Sequence, residues 1–170
     1  MTSNWGKNIV WFLGLLLFQV GVLANLNAGS LFLPFAYPLL LLQLPKNMPR
    51  WVLLLIGFFA GSIIDVFILS YGTHAFAFTL IAFIRPFVLD PIAPRDSASE
   101  SMEPTIQNLG FQRFVTYGGI LILIHHFFVF AIDEVDFSAP FHFIGRWLFS
   151  SALSLILMLT LQYIFNKKTT

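Results

Sequence analysis

The chain has 170 residues, of which 58% are hydrophobic and only 10% are charged, and its mean hydropathy is +0.83. Ordinary soluble domains carry about 25% charged residues, so this composition excludes a water-soluble globular fold and predicts an all-α integral membrane protein. Because the chain has no cysteine, it offers neither disulfide bonds nor thiolate ligands.

Six apolar runs are candidates to cross a hydrocarbon core of about 30 Å as helices. They occupy residues 9–24, 26–44, 51–69, 73–89, 114–132 and 143–165, and they form a single transmembrane domain over residues 1–170. The second run contains Pro34 and Pro38, which lack backbone donors, so we expect a broken or tilted span there. Lys7 ahead of the first run would also suit a cleaved signal peptide, but the five other runs would insert without it.

The basic residues lie almost entirely on one side of this predicted domain. Arg146 falls on the opposite side, near the acidic loop DEVDFSAP. The other eight are Lys7, Lys46, Arg50, Arg85, Arg95, Arg113, Lys167 and Lys168. Because cytoplasmic loops collect Lys and Arg, this distribution predicts six crossings with both termini in the cytoplasm. If the second run does not cross, Lys46 and Arg50 move to the outer side, and the basic residues no longer lie almost entirely on one side.

The third run contains a stripe of small residues that ends in a carboxylate. Gly57, Gly61 and Asp65 recur every four residues, so they share one face of a helix. Small residues let another helix approach closely in lipid. A charged Asp at membrane depth costs at least about 2.5–3.5 kcal/mol on insertion scales, so Asp65 should face protein or a wet cavity. The stripe therefore predicts a contact face, with Asp65 in the outer half of the bilayer.

Other polar residues also fall inside the apolar runs. His74 begins the fourth run, Arg85 lies near its end, and His125 and His126 are adjacent in the fifth. Adjacent helical residues point about 100° apart, so the histidine pair does not resemble an i, i+4 metal site. Two interpretations stay open: interior histidines that hydrogen-bond to neighbouring helices, or a site that combines one of them with Asp65. No metal is expected.

The usual catalytic motifs are missing from the sequence. It has no HExxH, no GxSxG, no phosphate-binding glycine loop and no kinase-like set. We therefore expect a protein that is not an enzyme, with no catalytic residues and no cofactor. An intramembrane hydrolase or transferase that uses Asp65 with His125 or His126 is the weaker alternative, because no second carboxylate lies within a span.

The stretch GFFAGSIIDVFILSYGTHAFAFTLIAFIRPFVL resembles the MreD family of bacterial rod-shape-determining membrane proteins. The family pattern has two glycines, an aspartate one turn later, a glycine-containing turn and a small-residue helix. The matching residues here are Gly57, Gly61, Asp65, Gly72 and Ala75. His74 after the turn and Arg85 followed by Pro86 are similar to the version found in Bacteroidetes.

This resemblance implies a multi-pass protein of the bacterial inner membrane that helps to organise lateral peptidoglycan synthesis and cell shape. The implied partners are MreC, the actin-like MreB, RodA, a class B penicillin-binding transpeptidase and the lipid bilayer, with no nucleic acid. The implied fold is similar to the substrate-binding subunits of energy-coupling-factor vitamin transporters. Such a subunit is the main alternative function. The first run favours the shape protein, because it has only isolated Gly14 and Gly21 where those subunits carry a small-residue contact stripe.

Overall fold

The structure, a computed structural model, describes residues 5–21, 23, 33–94, 102–133 and 140–165. This part of the chain is helical, with short connections. In chain order, the helices are α1 (Trp5–Gly21), α2 (Pro38–Gln43), α3 (Arg50–Ile68), α4 (Thr73–Ile92), α5 (Ile106–Leu109), α6 (Phe111–Asp133) and α7 (Pro140–Phe165).

Four of these helices are long and apolar enough to cross a membrane: α3, α4, α6 and α7. They coincide with the third to sixth predicted runs, although α4 continues to Ile92 and α7 begins at Pro140. The fold is therefore that of a multi-pass helical membrane protein.

The first and second predicted runs differ from the helices that form. α1 begins at Trp5, before the predicted start at residue 9, and residues 22 and 24 of the predicted run lie outside the described part of the chain. For the second run, residues 26–32 lie outside the described part of the chain, residues 33–36 are not helical, and only the six residues of α2 form a helix. The described portion of this run is therefore broken before Pro38, as the two prolines predict, and its crossing of the membrane stays a prediction.

The connection between α4 and α6 is partly structured. Residues 95–101 lie outside the described part, but α5 follows them and its first amide donates to Gln162 Oε1 of α7 at 3.3 Å. The Lys46 amide donates to the Met102 carbonyl at 3.0 Å. These two bonds dock the end of the connection onto α7 and onto the segment that follows α2.

Helix α4 forms the centre of the bundle, packing most extensively against α3 and then against α6, which in turn packs against α7. The contact between α3 and α4 is close because of the two stripe glycines. A Cβ atom at Gly57 would lie 3.0 Å from the Phe78 carbonyl oxygen, and one at Gly61 would lie 2.5 Å from Ala75 Cα. At Gly61 the obstacle is backbone, which cannot rotate away. The position requires glycine.

The lipid-facing surface carries few polar side chains, and several of them are satisfied locally. Ser62, Thr79, Thr116 and Thr160 each donate to the carbonyl of the residue four positions earlier in their own helix, at 2.7–3.0 Å. Such bonds leave these hydroxyl donors paired within hydrocarbon. They are therefore compatible with exposure to lipid.

We expect Gly61→Ala to lower the stability of the protein. The added methyl group would overlap the Ala75 backbone, and overpacking of this kind typically costs about 1–3 kcal/mol, more than the helix propensity gained from alanine. Gly145→Ala in α7 is the matched control, because a Cβ there meets nothing within 4 Å. Thermal unfolding in one detergent compares the two variants, and equal melting temperatures would contradict the close contact.

Candidate functional site

The buried carboxylate of Asp65 caps the following helix. Its Oδ1 accepts from the His74 amide at 2.9 Å, and its Oδ2 accepts from the Ala75 amide at 2.8 Å. These donors belong to the first turn of α4, where backbone N–H groups lack partners within the helix. The N-cap residue is Gly72, which has no side chain to serve as the cap. Asp65 supplies that function from the preceding helix, and its negative charge meets the positive end of the α4 dipole.

Asp65 also ends its own helix. Its backbone carbonyl accepts from the amides of Leu69 and Ser70, and Leu69 adopts a left-handed conformation with φ of 60°. The Ser70 hydroxyl donates to Asp65 Oδ1 at 2.5 Å. One residue therefore defines the end of α3, the turn and the start of α4.

A hydroxyl group bridges two histidines in the protein interior. Tyr37, just before α2, places its oxygen 2.7 Å from His74 Nδ1 and 2.6 Å from His125 Nε2. All three side chains are buried, and the Phe35 ring packs edge-on against both imidazoles. The bridge links α4 to α6 through the residue that precedes α2.

The protons on this bridge can be assigned from the available partners. Tyr37 has one proton, so it can donate to only one histidine and must accept from the other. His125 Nδ1 is buried with no partner among the described residues. An unpaired buried N–H is rarer than an unpaired acceptor, so His125 carries its proton on Nε2 and donates to Tyr37. Tyr37 then donates to His74 Nδ1.

His126 points in a different direction and joins α6 to α7. Its Nδ1 lies 3.0 Å from the Ile122 carbonyl, which can only accept, so Nδ1 carries the proton. Its Nε2 then accepts from the Ser154 hydroxyl at 2.9 Å. The Ser154 oxygen in turn accepts from the Phe35 amide at 2.9 Å. We call Tyr37, His74, His125, His126 and Ser154 the interior polar cluster.

Side chains from α1 and α7 replace the missing helical bonds of the unwound segment 33–36. The Leu33 amide donates to Ser150 Oγ at 3.1 Å, and the Ala36 amide donates to Gln19 Oε1 at 2.8 Å. Together with the bond from Phe35 to Ser154, these contacts pair three successive non-proline amides. Non-helical backbone is tolerated at membrane depth only where it is buried and satisfied in this way.

Arg85 lies apart from the interior polar cluster, toward the opposite end of α4. It is fully buried; its Nε donates to the Tyr117 hydroxyl at 2.9 Å, and its Nη2 donates to the Leu44 carbonyl. The Tyr117 hydroxyl in turn donates to the Leu42 carbonyl at 3.1 Å. The cation therefore satisfies the Leu44 carbonyl just after α2, at the end of a helix that attracts positive charge.

The structure brings together most of the residues singled out in the sequence. Gly57, Gly61 and Asp65 face α4 of the same chain, next to Ala75 and the Gly72 turn; a contact between this stripe and another protein stays a prediction. Asp65 reaches His74 through the backbone and does not bond directly to the side chains of His125 or His126. Among the described residues, no group of three or more His, Asp or Glu side chains could hold a metal ion.

Sequence reasoning missed the residues that complete this network. Tyr37, Ser154, Ser150, Gln19 and Tyr117 each supply a hydrogen bond to another element. Two signals could have found some of them. Ser150 and Ser154 lie four residues apart on one face of α7, and the prolines at 34 and 38 indicate a backbone whose remaining amides need outside partners.

Comparisons with known proteins give no match to a family model, to a curated protein or to a solved structure.

We expect Asp65→Asn to destabilise the protein, because both carboxylate oxygens accept from backbone N–H groups. An asparagine would turn its NH₂ group toward one of those donors and leave a buried amide unpaired, at a cost of about 1–3 kcal/mol. Ser70→Ala removes one donor but leaves both backbone caps, so it should lower the melting temperature less. If Asp65→Asn unfolds at the wild-type temperature, a neutral amide is sufficient for the cap.

We expect Ser154→Ala to expose the unwound segment to solvent exchange. The change removes the acceptor of the Phe35 amide and the donor to His126 together. Hydrogen–deuterium exchange of the peptide that covers residues 33–37 should therefore accelerate by about tenfold or more, which is the effect of losing a bond worth about 1.4 kcal/mol. Thr160→Ala on the same helix is the control, since Thr160 bonds only to its own helix. Equal exchange in the two variants would contradict the network.

Proposed function

We propose that this protein is a non-enzymatic membrane subunit of the bacterial cell-elongation complex, of the MreD type. It crosses the inner membrane six times with both termini in the cytoplasm, and it helps to organise lateral peptidoglycan synthesis through contacts with MreC and the wall synthases. RodA, a class B penicillin-binding transpeptidase and MreB are its direct or indirect partners. No turnover is part of this function.

Two features support six crossings in addition to the four long helices. α1 has 17 residues, which corresponds to about 26 Å at 1.5 Å per residue. The second run is broken, but the amides of its unwound part are paired with side chains of α1 and α7. A crossing that unwinds is permitted under this condition, and it keeps Lys46 and Arg50 on the same side as the other bases.

The observation that carries the proposal is the internal use of the buried polar groups. Asp65 caps α4, Tyr37 bridges two histidines, His126 accepts from Ser154, and Arg85 donates to the Leu44 carbonyl just after α2. An intramembrane hydrolase would need an acid or nucleophile aimed at a substrate, whereas these groups are aimed at other parts of the chain. Such a network supports a structural subunit that acts by binding partners and not by catalysing a reaction.

We expect affinity purification of the tagged protein from its native membrane in mild detergent to recover MreC. A different multi-pass protein of the same membrane, with the same tag and a similar expression level, is the control. Failure to enrich MreC over this control would overturn the proposal. Recovery of an ATPase module or of a tightly bound vitamin-like molecule would instead support a transporter subunit.

A further inference from the structure

Arg50, the first residue of α3, holds its side chain against an aromatic ring on the outside of the bundle. Its guanidinium carbon lies 5.3 Å from the centre of the Phe87 ring of α4, within the range of a cation–π contact. Both side chains are exposed, and Phe87 has 55% of its surface accessible. The contact therefore fixes a positive charge at the rim of the membrane-facing surface.

Apolar surface continues from this charge toward the middle of the membrane. Phe83 lies one turn before Phe87 on α4, with its ring centre 5.6 Å away, and it is 56% exposed. An arginine beside two adjoining exposed aromatic rings matches a ligand that has an anionic head and a hydrocarbon tail. We call Arg50, Phe83 and Phe87 the Arg50 patch.

The charge of Arg50 is not neutralised by a neighbouring acid. Among the described residues, no carboxylate lies within ion-pair distance of Arg50. Asp90, the exposed acid of α4, lies 4.0 Å from Lys46 Nζ. Arg50, Lys46 and Asp90 together carry a net charge of +1, because the negative charge of Asp90 is offset by Lys46. The guanidinium therefore presents its donors to whatever adjoins the patch.

We propose that the Arg50 patch binds an anionic phospholipid, with the phosphate on the Arg50 guanidinium and an acyl chain along Phe87 and Phe83. A planar guanidinium donates two parallel hydrogen bonds to phosphate oxygens. An acidic peptide would satisfy the arginine but would leave the exposed rings of Phe83 and Phe87 without an apolar partner. This site is independent of any role in cell shape.

Native mass spectrometry of the purified protein tests the site directly. The protein in detergent is titrated with phosphatidylglycerol and, separately, with phosphatidylcholine that carries the same acyl chains. Wild-type protein should retain more phosphatidylglycerol. Arg50→Gln should reduce that preference by about fivefold, the effect of one cation near an anionic surface. Arg50→Lys keeps the positive charge but lacks the planar pair of donors. It should therefore reduce the preference for phosphatidylglycerol less than Arg50→Gln does.

Arg113→Gln is the matched control, because Arg113 is an exposed arginine of α6 outside the patch. It should keep the wild-type preference. The proposal is overturned if Arg50→Gln binds both lipids as the wild type does. It is also overturned if Arg50→Gln and Arg113→Gln reduce the preference for phosphatidylglycerol equally, which would indicate a general attraction between charges. Melting temperatures of the variants in detergent, together with the Arg50→Lys result, separate a lost site from a lost fold.

Discussion

The bond between the Asp65 carboxylate and the first turn of α4 is the interaction on which the bundle depends. An unpaired carboxylate and an unpaired helix terminus both cost free energy in hydrocarbon. The bond between them satisfies both groups. The bond requires the end of α3 to lie against the start of α4, which only glycine at position 61 permits. Since α4 carries His74 at one end and Arg85 toward the other, its placement also positions the buried groups that bind the rest of the chain.

The unwound segment before α2 follows from a different constraint. Proline at positions 34 and 38 cannot donate, and the three amides between Leu33 and Ala36 that can donate bond to side chains of α1 and α7. Because Ser154 serves both the Phe35 amide and His126, the segment is tied to α6 as well. Tyr37 completes the connection to α4. The segment thus joins α1 to α4, α6 and α7, three helices with which α1 makes few direct contacts in the described part of the chain.

The sequence was sufficient for the membrane class, for four long helices and for a contact face along Gly57, Gly61 and Asp65. A spacing of four residues identifies a face but not its occupant, so only the structure shows that this face meets α4 and that Asp65 caps it. The prolines indicated a disturbed span, yet they do not reveal which distant side chains replace the lost bonds. Tyr37 and Ser154 are single polar residues on separate runs, and their meeting depends on the packing of whole helices.

The closed interior limits how a partner could recognise this protein within the membrane. The buried carboxylate, histidines and arginine bond inside the chain, and the hydroxyls of Ser62, Thr79 and Thr160 bond to their own helices. The hydroxyl donors of these three residues are therefore already paired within the chain. The exposed face of α3 instead presents large side chains such as Phe58, Phe59 and Phe67. Recognition through this face would depend on the fit of aromatic shapes, since association in lipid gains little from the hydrophobic effect.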